Sequence, residues 1–404
     1  MRLLFACVLA LFLLLPLHAP ADSVPTFFIA TDPHFISPAL TDHGPFFTQL
    51  IENGDGKMVH VIDELTDAFV NQVIDKRPGC LILSGDLTFN GAKKSHEDFA
   101  AKLRRIDQAG IPVFVLPGNH DLYCYAAASF SGNGYTLAER VTSEEFASIY
   151  HDLGFDAAIE RDVYSLSYVA EPFPGIRLLM LDANTQFMDG IVAQNTFTWL
   201  ENVLSRAQQD GAKVIAVSHQ NLYAHSSLLY EGYMLLNASL LESLYRKYGV
   251  TVNLSGHVHI QHTMTPEGSP PEIVTSSLCV SPCQYGVITL EDGLVHYRTE
   301  PVDVSAWAAQ NGLASPDLLN FRQYAADFFA ASSIDQAADD PDSRAMAAWL
   351  SDLNSAYFSG RMDAVEPDHE YALRWQQSDS FFGRYVRSIL AEPPRNHTEL
   401  SLPF

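Results

Sequence analysis

Five short runs of β-branched, aromatic and aliphatic residues recur along the chain, and each ends abruptly in polar residues. Phe27-Phe28-Ile29-Ala30 leads to Asp32-Pro33-His34, Leu81-Ile82-Leu83 to Gly85-Asp86, and Val113-Phe114-Val115-Leu116 to Gly118-Asn119-His120-Asp121. Val214-Ile215-Ala216-Val217 leads to Ser218-His219, and Val250-Thr251-Val252-Asn253-Leu254 to Gly256-His257-Val258-His259. Continuous apolar runs of this length predict buried strands, and polar residues at each carboxyl end fall along one rim of a sheet.

Between the runs the period changes to that of a helix. Val61, Leu65, Ala68, Phe69 and Val73 share one stripe, which predicts a helix over Lys57 to Lys76. Further helices are expected near Glu97 to Gln108, Thr196 to Gln209 and Leu235 to Tyr248. Tyr164 to Val169 and Ile176 to Leu181 form an antiparallel pair, and three short strands, Ile273-Val274-Thr275, Gly286 to Leu290 and Val295 to Thr299, close the series. Phe35 to Gly56 is a long polar excursion from the first strand, placed to overhang its carboxyl end. The alternation gives an α/β class.

After Pro301 strand signals stop. Leu318, Phe321, Ala325 and Phe328 lie on one helical stripe, as do Met346, Trp349, Leu350, Leu353 and Tyr357, predicting a helical appendage that ends in a tail from Pro393. The chain divides into residues 1–21, 22–301 and 302–404. In the first of these Arg2 precedes the apolar run Leu3 to Leu17, and Ala19-Pro20-Ala21 supplies the small residues a signal peptidase reads. That is a secretory signal cleaved at about Ala21/Asp22, which places the mature protein outside the cell or in its envelope, with no stable membrane insertion.

The polar residues at the strand ends are oxygen and imidazole donors, the set that borderline divalent metals prefer, with no cysteine among them. In order and type the five segments resemble the calcineurin-like metallophosphoesterases, over roughly Thr26 to Thr299. The nearest likeness is to secreted bacterial cyclic-nucleotide phosphodiesterases, through Ser37-Pro38-Ala39-Leu40-Thr41-Asp42, Gly54-Asp55-Gly56-Lys57 and the segment containing Leu318-Leu319-Asn320-Phe321.

This resemblance implies a four-layer α/β/β/α sandwich, two facing mixed sheets covered by helices, with a C-terminal helical appendage. It implies two metal ions, iron, manganese or zinc, with Asp86 bridging them. Asp32, His34 and His259 would serve the first ion, and Asn119, His219 and His257 the second. It further implies in-line attack on a small phosphodiester by a hydroxide bridging the ions, with His120 as general acid facing the leaving group. Asp121 would then orient the His120 imidazole. Glycines 85, 118 and 256 would let the backbone turn sharply beside the ions.

A formal net charge of −24 repels polyphosphate chains and anionic membranes, so long nucleic acids are poor substrate candidates. Two cations in a cleft would still attract a compact ester. No lysine or arginine accompanies the five motifs, which favours diesters over the more highly charged monoesters. A phosphomonoesterase or nucleotidase on the same fold is the alternative reading. A phospholipid diesterase lacks a membrane-binding segment. A binding protein with a vestigial site would lack a ligand residue, and none is missing. Oligomeric state has no signal in the sequence.

Other residues leave alternatives open. Cys279 and Cys283 could pair in an exported protein, and two free thiols are equally compatible with their spacing. Cys80 is expected to be a small buried hydrophobe. His225, His262 and His43 are read as solvated loop histidines ahead of pocket-lining ones. Tyr123, Tyr125 and Tyr223 could stack on a base or pack at the rim. The sequons at Asn237 and Asn396 are expected by chance.

Overall fold

The computed structural model describes residues 24–334 and 341–404, so the expected signal segment and cleavage point lie outside the described residues. Strands β1 (Thr26–Ala30), β2 (Cys80–Ser84) and β3 (Val113–Leu116) run parallel. A small hairpin of β4 (Ala128–Ser131) and β5 (Gly134–Leu137) follows. A second sheet has the order β11-β12-β10-β9-β8-β7-β6. Its strands are β6 (Glu160–Arg161), β7 (Tyr168–Phe173), β8 (Ile176–Leu181), β9 (Lys213–Ser218), β10 (Val252–Ser255), β11 (His262–Met264) and β12 (Glu272–Val274). Strands β13 (Gln284–Glu291), β14 (Leu294–Pro301) and β15 (Glu399–Pro403) return antiparallel beside β1 and complete the first sheet as β15-β14-β13-β1-β2-β3.

Alternation along the strands explains the layers. Leu178, Met180, Ile215 and Val217 point into one core with Phe27, Ile29 and Ile82 of the first sheet. Their neighbours Leu179, Leu181, Val214 and Ala216 face the opposite way, into a second cluster. That cluster is covered by α5 (Gln194–Asp210) through Leu200 and Leu204 and by α6 (Ala238–Tyr248) through Leu241 and Tyr245. On the first sheet, α2 (Ile62–Lys76) contributes Leu65, Phe69 and Val73, and α3 (Lys93–Gln108) contributes Phe99, Leu103 and Ile106. Two mixed sheets covered by helices is the sandwich that the resemblance implies.

Two expectations need correction. The excursion after β1 does not overhang the strand's carboxyl end as a whole. It holds α1 (Pro45–Glu52), whose Phe46 and Phe47 pack on Phe130 of β4 with ring centroids 6.2 and 5.3 Å apart. Its aromatics draw it sideways onto the hairpin, and of its residues Asp55 alone lines the cleft described below. The C-terminal tail is likewise not a plain tail: β15 pairs with β14 from Leu294↔Pro403 to Arg298↔Glu399. Leu400 and Leu402 are too few to announce a strand from sequence, but the free edge of β14 supplies its partners.

The appendage runs through α7 (Val304–Gln310), α8 (Pro316–Leu319), α9 (Phe321–Ile334), α10 (Pro341–Ser359), α11 (Glu370–Gln377) and α12 (Phe381–Leu390), with α4 (Ser143–Ile149) lying earlier, beside the first sheet. Leu350, Leu353 and Tyr357 of α10 and Tyr385, Val386 and Ile389 of α12 bury against Val258, Ile260 and Val274 of the second sheet's rim. Phe321, Ala325 and Phe329 of α9 join the main core. The expected stripe breaks at Asn320, which separates α8 from α9, so Phe329 rather than Phe328 is the fully buried residue. Cys80, Cys124, Cys279 and Cys283 are all free thiols, so Cys279 and Cys283 do not pair.

Candidate metal centre

The carboxyl ends of β1, β2, β3, β9 and β10 bring the predicted residues to one place. Asp32, His34 and His259 form one group of converging donor atoms, and Asp86, His219 and His257 a second. Asp32 Oδ1 lies 3.3 Å from His259 Nε2, and the Nε2 atoms of His34 and His259 are 3.2 Å apart. Asp86 Oδ2 sits 3.3 Å from His219 Nε2 and 3.9 Å from His34 Nε2, so its carboxylate faces both groups. Asn119 Oδ1 is 3.2 Å from His219 Nε2, on the second group.

Backbone strain marks the same residues. Asp32, His34, Asp86, His257 and His259 all have positive φ, between 45° and 70°. The left-handed region is uncommon for residues with a Cβ and persists where surrounding contacts impose it. Of the three glycines expected to turn sharply, Gly85 has positive φ, at 105°. Gly118 and Gly256 serve differently: a Cβ on Gly118 would strike Asp86 Oδ1, and one on Gly256 would strike Thr31 Oγ1.

Hydrogen bonds aim the rings. His219 Nδ1 donates to Ser84 O at 2.8 Å, which turns Nε2 inward as the nitrogen an ion would take. His257 Nε2 donates to Gly232 O at 2.9 Å, leaving Nδ1 for a ligand role. Asp32 Oδ2 accepts from Thr31 Oγ1 at 2.5 Å and from the His257 N–H at 2.9 Å, while Oδ1 is buried without a hydrogen-bond partner. An orphaned carboxylate oxygen among imidazole nitrogens fits a cation, because nothing else there satisfies it.

The electrostatics agree. Burial pushes the Asp32 and Asp86 carboxyls up, but His259 and His219 beside Asp32, and His219 and His120 beside Asp86, hold both well below the ordinary carboxylate range. Burial pulls His219 down, yet Asp86 and Asp32 outweigh it and lift the imidazole to about 9. The cluster therefore recruits positive charge, which metal ions would supply.

His120 lines the cleft beside Asp86, with its N–H donating to Asp86 Oδ1 at 2.8 Å. Its Nδ1 donates to Phe89 O at 3.1 Å, which turns Nε2 outward. Asp121 does not orient this ring, a correction to the expectation. Its carboxylate accepts instead from the Leu87, Thr88 and Gly118 N–H groups and from Thr88 Oγ1, at 2.8–2.9 Å. It ties the two turns after β2 and β3 together, and four local donors leave no acceptor for His120.

A cleft of about 460 Å³ opens over these groups. Its wall includes Asp55, Lys57, Ser226, Leu229, Tyr233, Tyr357, Phe358 and Tyr385, none of them singled out as a site residue by the motifs. Lys57 had a signal in Gly54-Asp55-Gly56-Lys57. The appended aromatics had none, since helical periodicity shows which face is apolar but not what it meets. Tyr123, Tyr125 and Tyr223 stand outside this lining: Tyr123 bonds to Ser143, Tyr223 to Pro270 O, and Tyr125 lies under the Arg140 guanidinium.

His43 is exposed, as expected for a loop. His225 and His262 are not solvated but buried, with their Nδ1 atoms 2.8 Å apart. Glu272 holds His225 at 2.9 Å and Glu392, just beyond α12, holds His262 at 3.0 Å. They fasten the appendage to the second sheet.

Two groups of metal-donor residues at one cleft, with the Asp86 carboxylate facing both, suit a dinuclear centre of the kind that hydrolyses phosphoric esters. The chain belongs to the calcineurin-like phosphoesterases: residues 25–261 match that family's model. Residues 303–396 match the model of the C-terminal domain of cyclic nucleotide phosphodiesterase. No sequence among curated proteins matches the chain. Among solved structures, a dimetal phosphatase from Danio rerio is similar at 16% identity and TM-score 0.50, over 69% of this chain and 96% of that one. A purple acid phosphatase from yellow lupin (Lupinus luteus) seeds gives 16% identity and TM-score 0.46, over 69% of this chain and 52% of that one. At such identities the likeness concerns the fold. The protein is a metal-dependent phosphoric ester hydrolase.

Proposed function

We propose that the substrates are small phosphodiesters, with cyclic mononucleotides as the leading class. The observation that carries this reading is the far wall of the cleft. Tyr357 and Phe358 of α10 and Tyr385 of α12 line the same space as Asp86, His120 and His257. The appendage thus bounds the cleft, and a volume of about 460 Å³ suits a mononucleotide better than a duplex. The acidic chain, at −24, gives flanking phosphates of a long strand little to bind.

Two metal ions, when bound, supply Lewis acidity toward the phosphoryl oxygens and an acidified water for attack. Asp32, His34 and His259 would hold one, Asn119, His219 and His257 the other, and Asp86 both. His120 would deliver the Nε2 proton to the departing oxygen, with Phe89 O holding the opposite nitrogen.

A phosphomonoesterase reading gains from one observation. Lys57 lines the cleft, so the absence of a cation beside the motifs no longer argues against monoesters. Hydrolysis of a 3′,5′-cyclic nucleotide, a 2′,3′-cyclic nucleotide, an aryl diester and its monoester, with the metal varied, separates the two. A preference for the monoester would replace the diesterase reading.

We also propose export, on the sequence of residues 1–21. Among the described residues no helix is long and apolar enough to cross a membrane. Mass spectrometry of the mature N-terminus tests cleavage near Ala21.

A further inference from the structure

We propose that Lys57 binds the substrate's phosphoryl group: its ammonium takes an anionic oxygen of the ester, and α9 holds the loop that presents it. This rests on the phosphoesterase reading of the cleft and is independent of which organic group the ester carries.

Lys57 lines the cleft with Asp86, His120, His257 and His259, and no other lysine or arginine does so among the described residues. Its side chain is 15% exposed, and Nζ pairs with Asp55 Oδ2 at 2.5 Å. Asp55 is 60% exposed and reaches this lysine from only two residues away. So exposed a partner adds little to stability. It keeps a mostly enclosed ammonium paired and can be exchanged for another anion at the cleft surface. Burial pulls Lys57 down but Asp55 outweighs it, so the group stays cationic at neutral pH.

The loop is fixed from two sides. The Met58 N–H donates to Cys279 O at 2.8 Å, and Lys57 forms an antiparallel bridge with Val280. On the other side α9 packs directly on the backbone: a Cβ on Gly56 would lie 2.5 Å from Phe329 Cδ2. The appended helices therefore act on the metal cleft twice, through the wall of α10 and α12 and through this buttress under Lys57. A lysine is suited to the task because its ammonium is a compact point charge able to follow the phosphoryl oxygens.

The test uses the full-length, metal-loaded protein and the variants Lys57→Met, Lys57→Arg and Phe329→Ala, with the exposed Lys94→Met as control. Orthophosphate is the probe, read as competitive inhibition of aryl-diester hydrolysis and as phosphate-induced stabilisation. Losing one charge-assisted contact should weaken phosphate and raise KM by about tenfold to a hundredfold in Lys57→Met. kcat should fall less than KM rises, and metal content should hold. Arginine should restore most of the loss, Phe329→Ala should weaken phosphate in the same sense, and Lys94→Met should match the parent. Unchanged phosphate binding in Lys57→Met with metals retained would overturn the proposal. So would a parallel fall in metal content, kcat and melting temperature, which marks a structural residue. If the parent hydrolyses no diester, the substrate reading fails, while phosphate-induced stabilisation still decides the role of Lys57.

Discussion

The backbone N–H of His257 donates to Asp32 Oδ2 at 2.9 Å, so a ligand of one metal group is held by the main chain of a ligand of the other. Gly256 makes that approach feasible, because a Cβ there would meet Asp32 Oδ2 at 2.6 Å and run into Thr31 Oγ1. Gly256→Ala should therefore disturb both groups at once. Overpacking of this kind costs about 1–3 kcal/mol. A lowered melting temperature together with metal content reduced by more than half is the expected result, measured by calorimetry and elemental analysis.

His120 presents Nε2 to the cleft while Phe89 O fixes Nδ1. His120→Ala should retain its metals and lose about 10²–10⁴-fold in turnover on diesters with alkoxide leaving groups. A nitrophenolate needs little protonation, so the loss there should be much smaller. Steady-state rates on the two substrates decide it, and equal losses would make His120 a phosphate-positioning residue instead.

Asp121 binds three backbone N–H groups and the Thr88 hydroxyl, not the general acid. Asp121→Asn would turn an amide N–H₂ toward donors, leaving buried groups unpaired at about 1–3 kcal/mol. The expected result is a fall in stability by chemical denaturation. The leaving-group dependence of the rate should stay that of the parent, which a ring-orienting role would alter.

Much of this centre was legible because metal-ligand chemistry is local. Asp32, Asp86, Asn119, His219 and His257 each sit two or three residues past an apolar run, and strand ends in a parallel arrangement must share a rim. Asp121 was misread because its partners, Leu87 and Thr88, come from a different strand end, and adjacency to His120 is not contact. Lys57 was visible as part of a segment but had no assigned place, since its position depends on Phe329 far along the chain. The cleft wall of Tyr357 and Tyr385 and the edge strand β15 are products of tertiary packing, which a helical stripe or two leucines cannot specify.

His397 joins the tail to β11, with its ring stacked on His262 at a centroid distance of 4.0 Å and its Nδ1 2.9 Å from Thr263 Oγ1. Burial, with His262 adding to it, lowers its pKa to about 3. The unfolded chain therefore takes up the proton first, and this contribution to stability is lost as pH falls from about 6.5 toward 3. Between pH 7 and 4.5 the melting temperature of His397→Gln should fall less steeply than that of the parent. Parallel curves would assign the acid sensitivity elsewhere.

Asp86 Oδ2 lies within 3.9 Å of both His34 Nε2 and His219 Nε2, where one carboxylate would join two ions into one centre. Elemental analysis of purified Asp86→Ala, beside His257→Ala and His259→Ala, tests it most directly. Loss of both ions from Asp86→Ala, and a weakened hold on mainly one ion in each histidine variant, is the expected result. Close to two ions per chain retained by Asp86→Ala would contradict it.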